Sequence, residues 1–169
     1  MSDNAPVPHG RLATLDLGGT DMGASEEELG PIDVLVIGYP PGAPMTGEAI
    51  PILLGLVNRG IVRVLDACFV RKAADGSVSG LDPAELDPAT AGDLAELAGA
   101  STGMLNDDDV ALVAAEIEPS SAAVMIVYEN RWAAPFAAAV RRNGGVLIAN
   151  QRIGVQELLD ALDAAEAAA

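Results

Sequence analysis

The chain is poor in basic residues: Lys and Arg together number 9, against 25 Asp and Glu, which gives a net charge of −16 over 169 residues. Affinity for nucleic acid and for anionic membrane surfaces comes largely from Lys and Arg. Aromatic residues, which stack on unpaired bases, make up only 3% of the sequence. We therefore expect neither a nucleic-acid partner nor attraction to an anionic membrane.

Cysteine and histidine occur once each, as Cys68 and His9. A single cysteine cannot form an intramolecular disulfide, and one Cys and one His cannot form a Cys/His metal site. Because His9 lies in the expected flexible tail, the folded core has no histidine to act as a catalytic base. Cys68 lies in an apolar strand pattern, which is typical of a small buried hydrophobe. The sequence therefore predicts no metal, no cofactor and no nucleophilic triad.

No apolar run reaches the roughly 18 residues that span a bilayer, so we expect no membrane insertion. The N-terminus shows no secretory signal, and a single cysteine fits a reducing compartment, so we expect a cytoplasmic protein. Half of the residues are hydrophobic, which is enough for a packed core. We predict a flexible N-terminal tail over residues 1–30 and a single α/β domain over 31–169.

The tail is broken by Pro, Gly and a run of Glu, but residues 12–17 alternate weakly between apolar and polar. This segment can serve to recognise a protein partner or to dock on the chain itself. The glycine-rich residues 18–23 follow no strand, so a phosphate-binding loop is a weak interpretation there.

The first half, residues 31–80, predicts a βαβ unit. Residues 32–39 form a buried strand, a helix begins with Thr46 as its cap and ends at Gly60, and residues 61–72 form a second strand. The apolar alternation changes phase near Leu65, which predicts a β-bulge. The Asp75-Gly76 pair predicts a hairpin turn, with a short edge strand after it.

A helical insert over 81–118 precedes the second half, 119–153. Asn106 followed by three aspartates predicts a capped helix start, a better explanation of these acids than a calcium loop, whose spacing they lack. The second half predicts a strand at 122–128, a helix at 132–142 and a strand at 146–151. An amphipathic helix then covers 155–167.

The two halves share one spacing, which favours an internal duplication. Pro51 and Pro135 each open a helix, and a glycine follows nine residues later, at Gly60 and Gly144. Two βαβ halves predict a ferredoxin-like α+β sandwich, with helices on one face of a four-stranded antiparallel sheet. A doubly wound parallel sheet is the alternative. The other face must be covered by the insert, by the C-terminal helix or by another subunit, and we expect a homo-oligomer.

Polar and aromatic side chains concentrate at the end of the strand predicted over 122–128. As a functional site they would line a strand-end pocket or an interface, with Glu129 or Asp66 as the acid–base group. In a purely structural interpretation, these residues form the start of a helix, with Asn130 as its N-cap and an ion pair between Glu129 and Arg131. The candidate pocket or interface residues are Tyr39, Phe69, Tyr128, Glu129, Asn130, Arg131 and Trp132.

The loop over 38–47 joins a strand to a helix N-terminus, where backbone N–H groups can hold an anion. It contains no Lys or Arg, and its prolines remove donors. A rigid structural connection is the better interpretation.

Three stretches resemble an uncharacterised bacterial family, a domain of unknown function. They are Pro119-x-Ser121-Ala122-Ala123, residues 64–76 (Val-Leu-Asp-Ala-Cys-Phe-Val-Arg-Lys-x-x-Asp-Gly) and residues 139–147 (Ala-Val-Arg-Arg-Asn-Gly-Gly-Val-Leu). The chain is similar to soluble actinobacterial members, which lack the glycine-zipper membrane hairpin of others. The resemblance covers about residues 31–165 and implies a fold without established catalytic residues.

Three functions remain open on the sequence, and the third of them is a membrane-associated accessory protein that a partner recruits. The first is a non-enzymatic, self-associating module that binds protein or acts in regulation or structure, with stress as one setting. The alternative is a small-molecule binder or enzyme of the dimeric α/β type, with a pocket lined by Tyr39, Phe69 or Trp132.

Overall fold

A four-stranded antiparallel sheet forms the centre of the computed structural model, which describes residues 29–80, 92–93, 95–97, 102–148 and 154–167. Its strands are β1 (Ile32–Tyr39), β2 (Arg63–Lys72), β3 (Val78–Gly80) and β4 (Ser121–Glu129), in the order β1-β4-β2-β3. The predicted α+β class is confirmed. His9, the alternating residues 12–17 and the glycine-rich residues 18–23 lie outside the described residues.

Four α-helices with described bounds accompany the sheet, and residues 92–93 and 95–97 of the insert are helical as well. The four are α1 (Ala49–Asn58), α2 (Asp107–Glu116), α3 (Ala134–Arg142), which follows a single 3-10 turn (Arg131–Ala133), and α4 (Val155–Ala167). None of the described helices is both long and apolar enough to cross a membrane.

Strand β4 is central and pairs antiparallel with both β1 and β2. Glu129 therefore lies opposite Ile32 on one side and Arg63 on the other. The register between β2 and β4 shifts between Val64 and Asp66, which confirms the predicted bulge. Since β1 and β2 both oppose β4, they run parallel to each other, and α1 lies in the connection between them.

The second crossover differs from the prediction. It joins β3 to β4, and α2 lies in that connection. The strand predicted over 146–151 is wrong where it can be seen: residues 145–148 have no strand, and 149–151 lie outside the described residues. The hairpin at Asp75-Gly76 supplies the fourth strand instead, because its pairing with β2 is local and needs only a tight turn.

Both faces of the sheet are covered by helices. On one face, Leu54 of α1 and Leu97 of the insert pack with Val64, Val124 and Ile126. On the other face, Val113 and Ala114 are the buried apolar residues of α2, and they pack with Val70, Ala123 and Met125 of the strands. Helix α2, which belongs to the insert, thus covers the face away from α1, and the insert was one of the coverings expected for that face.

The matched proline and glycine positions are confirmed as helix starts and stops. Pro51 and Pro135 lie in the first turns of α1 and α3, and Gly60 and Gly144 have positive φ of 66° and 77°. At the end of α1, the N–H of Gly60 donates to the Val57 carbonyl and the N–H of Ile61 donates to the Leu56 carbonyl. At the end of α3, Gly144 and Gly145 donate in the same way to carbonyls three and five residues earlier. This is a Schellman motif, which the left-handed glycine permits. The predicted Thr46 cap is wrong, because α1 begins later, with Glu48 as its N-cap residue.

Helix α2 is held at both ends. The side chain of Asn106 accepts the N–H groups of Asp108 and Asp109, and Asp109 accepts the N–H of Asn106, which completes a capping box and confirms the predicted cap. At the other end, Nζ of Lys72 donates to the carbonyls of Ala114 (2.9 Å) and Ile117 (3.0 Å). A cation at these carbonyls also complements the helix dipole.

Candidate functional site

A cavity of about 560 Å³ lies between α1, the loop before it and the sheet. Its floor is apolar and comes from two neighbouring strands, and α1 forms the roof. The floor residues are Leu35, Ile37, Val124 and Ile126, and the roof residues include Ile50, Leu53 and Leu56. This volume lies within the range of small-molecule sites.

The cavity exists because α1 is too short to cover the sheet. Ten helical residues extend about 15 Å, whereas the eight residues of β1 extend about 27 Å. Leu54 is the buried residue of α1, and it packs toward β2 and β4. The side chains of β1 on this face, Leu35 and Ile37, stay partly exposed.

Three of the five aromatic residues of the chain, Tyr39, Phe69 and Tyr128, line this cavity. They come from the ends or middles of three strands, and the side-chain alternation of each strand places them on the α1 face. Asn130 also lines the cavity. Four of the seven sequence-predicted site residues are therefore brought together.

The loop before α1 adds lining residues that were not among the candidate site residues of the sequence. Pro44, Met45, Thr46 and Glu48 all contribute to the wall. A signal was available: Met45 is a large apolar side chain in an otherwise proline- and glycine-rich connection. The interpretation of this loop as a purely structural connection missed its place in the cavity wall.

Charged side chains are scarce in the cavity. Among the described lining residues, Glu48 alone is of a charged type, and none is Lys, Arg or His. Glu48 is exposed at the N-terminus of α1, and its side chain makes no capping hydrogen bond there. Its carboxylate is therefore available at the cavity wall.

Glu129 does not belong to the cavity, because it points to the opposite side of the sheet from Tyr128. It is 2% exposed. Its Oε1 accepts the Gly30 N–H at 2.8 Å, and its Oε2 lies 2.8 Å from Nε of Arg63, an ionic contact without the angle of a hydrogen bond. The predicted pair with Arg131 is thus replaced by a pair with Arg63, its neighbour on β2.

Asn130 and Trp132 behave differently from the prediction as well. The Nδ2 of Asn130 donates to the Pro31 carbonyl and to Asp33, and its Oδ1 accepts the indole N–H of Trp132. Asn130 makes no capping bond to the turn that follows, because its amide is turned back toward β1. Trp132 is 68% exposed, and Arg131 is exposed too. Neither lines the cavity.

Asp66 and Cys68 lie outside the cavity. Asp66 is buried at the bulge and accepts the N–H groups of Ala67 (2.9 Å) and Leu105 (2.8 Å). Burial raises the pKa of the Cys68 thiol, and the charges of Asp66 and Asp107 raise it further. A raised pKa favours the protonated thiol, and Cys68 is partly buried and packs against the core on the α2 face.

Metal binding finds no support in the part of the chain that the structure describes, where no three His, Cys, Asp or Glu side chains are grouped to hold an ion. Of the three acids at the start of α2, Asp109 uses its carboxylate in the capping box. What the cavity can do is enclose an apolar molecule and contact it with aromatic rings and one carboxylate.

Comparison with curated proteins and with solved structures gives no match. A family model matches residues 28–168, nearly the whole chain, and its description is a family of unknown function, DUF6325. The match begins just before Leu29 and Gly30, whose backbones are already bonded to Arg141 and Glu129. The expected membership of a family of unknown function is thereby confirmed, and the chain belongs to the DUF6325 family.

Proposed function

We propose that this protein is a non-enzymatic binding protein that holds a small apolar molecule in the cavity beneath α1. The observation that carries the proposal is the gathering of Tyr39, Phe69 and Tyr128 around one apolar space in a chain with few aromatics. Apolar pockets with a few polar groups are the common form of small-molecule sites.

A binding role is favoured over catalysis by the position of the buried carboxylates. Glu129 and Asp66, the two acid–base candidates of the sequence, both lie outside the cavity lining. Their oxygens accept backbone N–H groups that fix the sheet and the loop at Leu105. An acid–base group must reach its substrate, and these two carboxylates hold structure instead.

The test is a fluorescence titration with Nile red, an uncharged apolar dye. We expect saturable binding by the intact chain. Leu53→Trp, which fills the cavity from α1, should weaken binding at least tenfold. Ile52→Trp is the matched control, because Ile52 is on the same helix and 69% exposed; it should bind as the unmodified protein does.

Overpacking by Trp can destabilise a core by about 1–3 kcal/mol, so circular dichroism must show that the Leu53→Trp variant is folded. Should it fail to fold, Ile50→Phe fills the same cavity with a smaller ring. Equal dye binding by the filled variant and the Ile52→Trp control would contradict the proposal.

A second candidate is self-association, for which α4 provides the observation. Every residue of α4 is exposed, yet Val155, Leu158, Leu159 and Leu162 form one apolar stripe. The preceding residues Val146, Leu147 and Ile148 are also exposed, Ile148 by 93%. A second copy of the same helix offers a stripe of the same kind, as symmetric dimers require.

Light scattering after size-exclusion chromatography tests this candidate. We expect a dimer that is favoured by added salt, because each copy carries −16 and salt screens that repulsion. Replacing Leu158 and Leu162 with Glu should give a monomer. The control replaces Ala164 and Ala167 with Glu, which adds the same charge to the side of α4 away from the stripe and should leave the dimer. A monomer at all protein and salt concentrations would rule out self-association.

A further inference from the structure

We infer that the ligand of the cavity beneath α1 is a cation with an apolar body. This inference rests on the proposed binding function and adds the charge of the ligand. It is carried by the composition of the cavity wall, by the state of the α1 N-terminus and by the charge of the whole chain.

The side chains of the cavity wall favour a positively charged ligand. Glu48 is the lining residue with a charged side chain among those described, and no described lining residue is basic. An anion in the cavity would lack a counter-charge and would face a carboxylate. A cation would be paired, and the net charge of −16 would raise its local concentration.

The aromatic side chains point to the same ligand. Tyr39, Phe69 and Tyr128 surround the space, and the face of an aromatic ring attracts a cation within about 6 Å. Such rings gain more from a weakly hydrated cation, such as an alkylammonium, than from a neutral alkyl group of the same shape. The apolar floor of Leu35, Ile37 and Val124 accommodates the uncharged body of the molecule.

A helix N-terminus is the usual competitor, because its free N–H groups bind anions. At the start of α1, most of these N–H groups are already hydrogen-bonded or absent. The N–H of Ile50 donates to the Gly47 carbonyl at 2.9 Å, and Pro51 has no N–H. Glu48 itself occupies the N-cap position with a carboxylate. The start of α1 is therefore poorly equipped to hold an anionic ligand.

Three probes with the same decyl chain and different head groups test the charge: decyltrimethylammonium, decanol and decanoate. Each is titrated below its micelle concentration against the intact protein with bound Nile red. We expect the ammonium probe to displace the dye at about one tenth of the decanol concentration, and decanoate to be the weakest of the three. Added salt should weaken the ammonium probe alone.

Glu48→Gln separates a local contact from the general field of an acidic protein. It should weaken the ammonium probe about fivefold and leave decanol unchanged. Glu118→Gln is the matched control, because Glu118 is exposed and outside the cavity lining; it should change neither probe. Tyr39→Leu should weaken the ammonium probe more than decanol.

The outcomes separate the charge of the ligand from binding itself. Equal affinity for decanol and the ammonium probe, or equal effects of Glu48→Gln and Glu118→Gln, overturns the inference and leaves the apolar binding function in place. Preference for decanoate also overturns it. Absence of Nile red binding overturns both the inference and the proposed function.

Discussion

Replacing Glu129 with alanine is expected to lower the free energy of unfolding by about 3 kcal/mol. The carboxylate is buried between the starts of β1 and β2, where it accepts the Gly30 N–H and contacts Arg63. Alanine leaves that N–H without its partner and the guanidinium without its counter-charge. Arg63 is 41% exposed, so water takes over part of its interaction and the Gly30 bond carries most of the loss.

Urea unfolding followed by circular dichroism measures this effect. Glu129→Gln keeps an oxygen acceptor for Gly30 but loses the ion pair, so about 1–2 kcal/mol should be lost. Glu118→Ala, at an exposed carboxylate, should change stability by less than about 0.5 kcal/mol. A loss at Glu129 no larger than at Glu118 would show that the buried carboxylate does not hold the strands together.

Gly30→Ala should destabilise the protein by a similar amount, about 3 kcal/mol, through overlap of atoms. A Cβ at Gly30 would lie 2.3 Å from the backbone oxygen of Asn130 and 3.3 Å from the backbone nitrogen of Ala134. Both are main-chain atoms, one just after β4 and one at the first residue of α3, so no side-chain rotation can relieve the contact. The chain before β1 would have to move away from β4.

Gly38→Ala is the matched control for this substitution. Gly38 lies within β1, and no heavy atom would come within 4 Å of its Cβ. It should be neutral or stabilising by up to about 1 kcal/mol, because alanine restricts the unfolded chain. Comparable losses at Gly30 and Gly38 in the same denaturation experiment would refute the close-approach explanation.

The two substitutions should also be coupled. Displacing Gly30 breaks the bond that Glu129 accepts, so the double variant should lose less than the sum of the single losses.

Local signals in the sequence predicted most of the secondary structure. The proline-to-glycine spacing marked both α1 and α3, Asn106 marked the start of α2, and Asp75-Gly76 marked the hairpin. Each depends on atoms within a few residues of one another, which is why the sequence reveals them. The strand predicted at 146–148 had the right residue types, but a strand forms only where it can pair with the edge of another strand. The residues that provide such an edge are distant in the sequence, so a local pattern does not reveal the pairing.

The candidate site was predicted in part for the same reason. Alternation along a strand separates Tyr128 from Glu129, and the structure places the candidate aromatics of three strands around one cavity with Asn130. The partner of Glu129 was not predictable, because Arg63 becomes its neighbour only through the strand order. The contribution of Glu48 depends on how far α1 extends over the sheet, which no local pattern encodes.

The central position of β4 sets an order of events during synthesis. The ribosome delivers the chain from its N-terminus, so β1 and β2 emerge well before the strand with which both must pair. Of the described strands, only the β2–β3 hairpin can pair before residues 121–129 appear. The apolar β1 must therefore wait unpaired while the insert is made, and nascent chains that end before β4 are the form of this protein most exposed to aggregation and to chaperones.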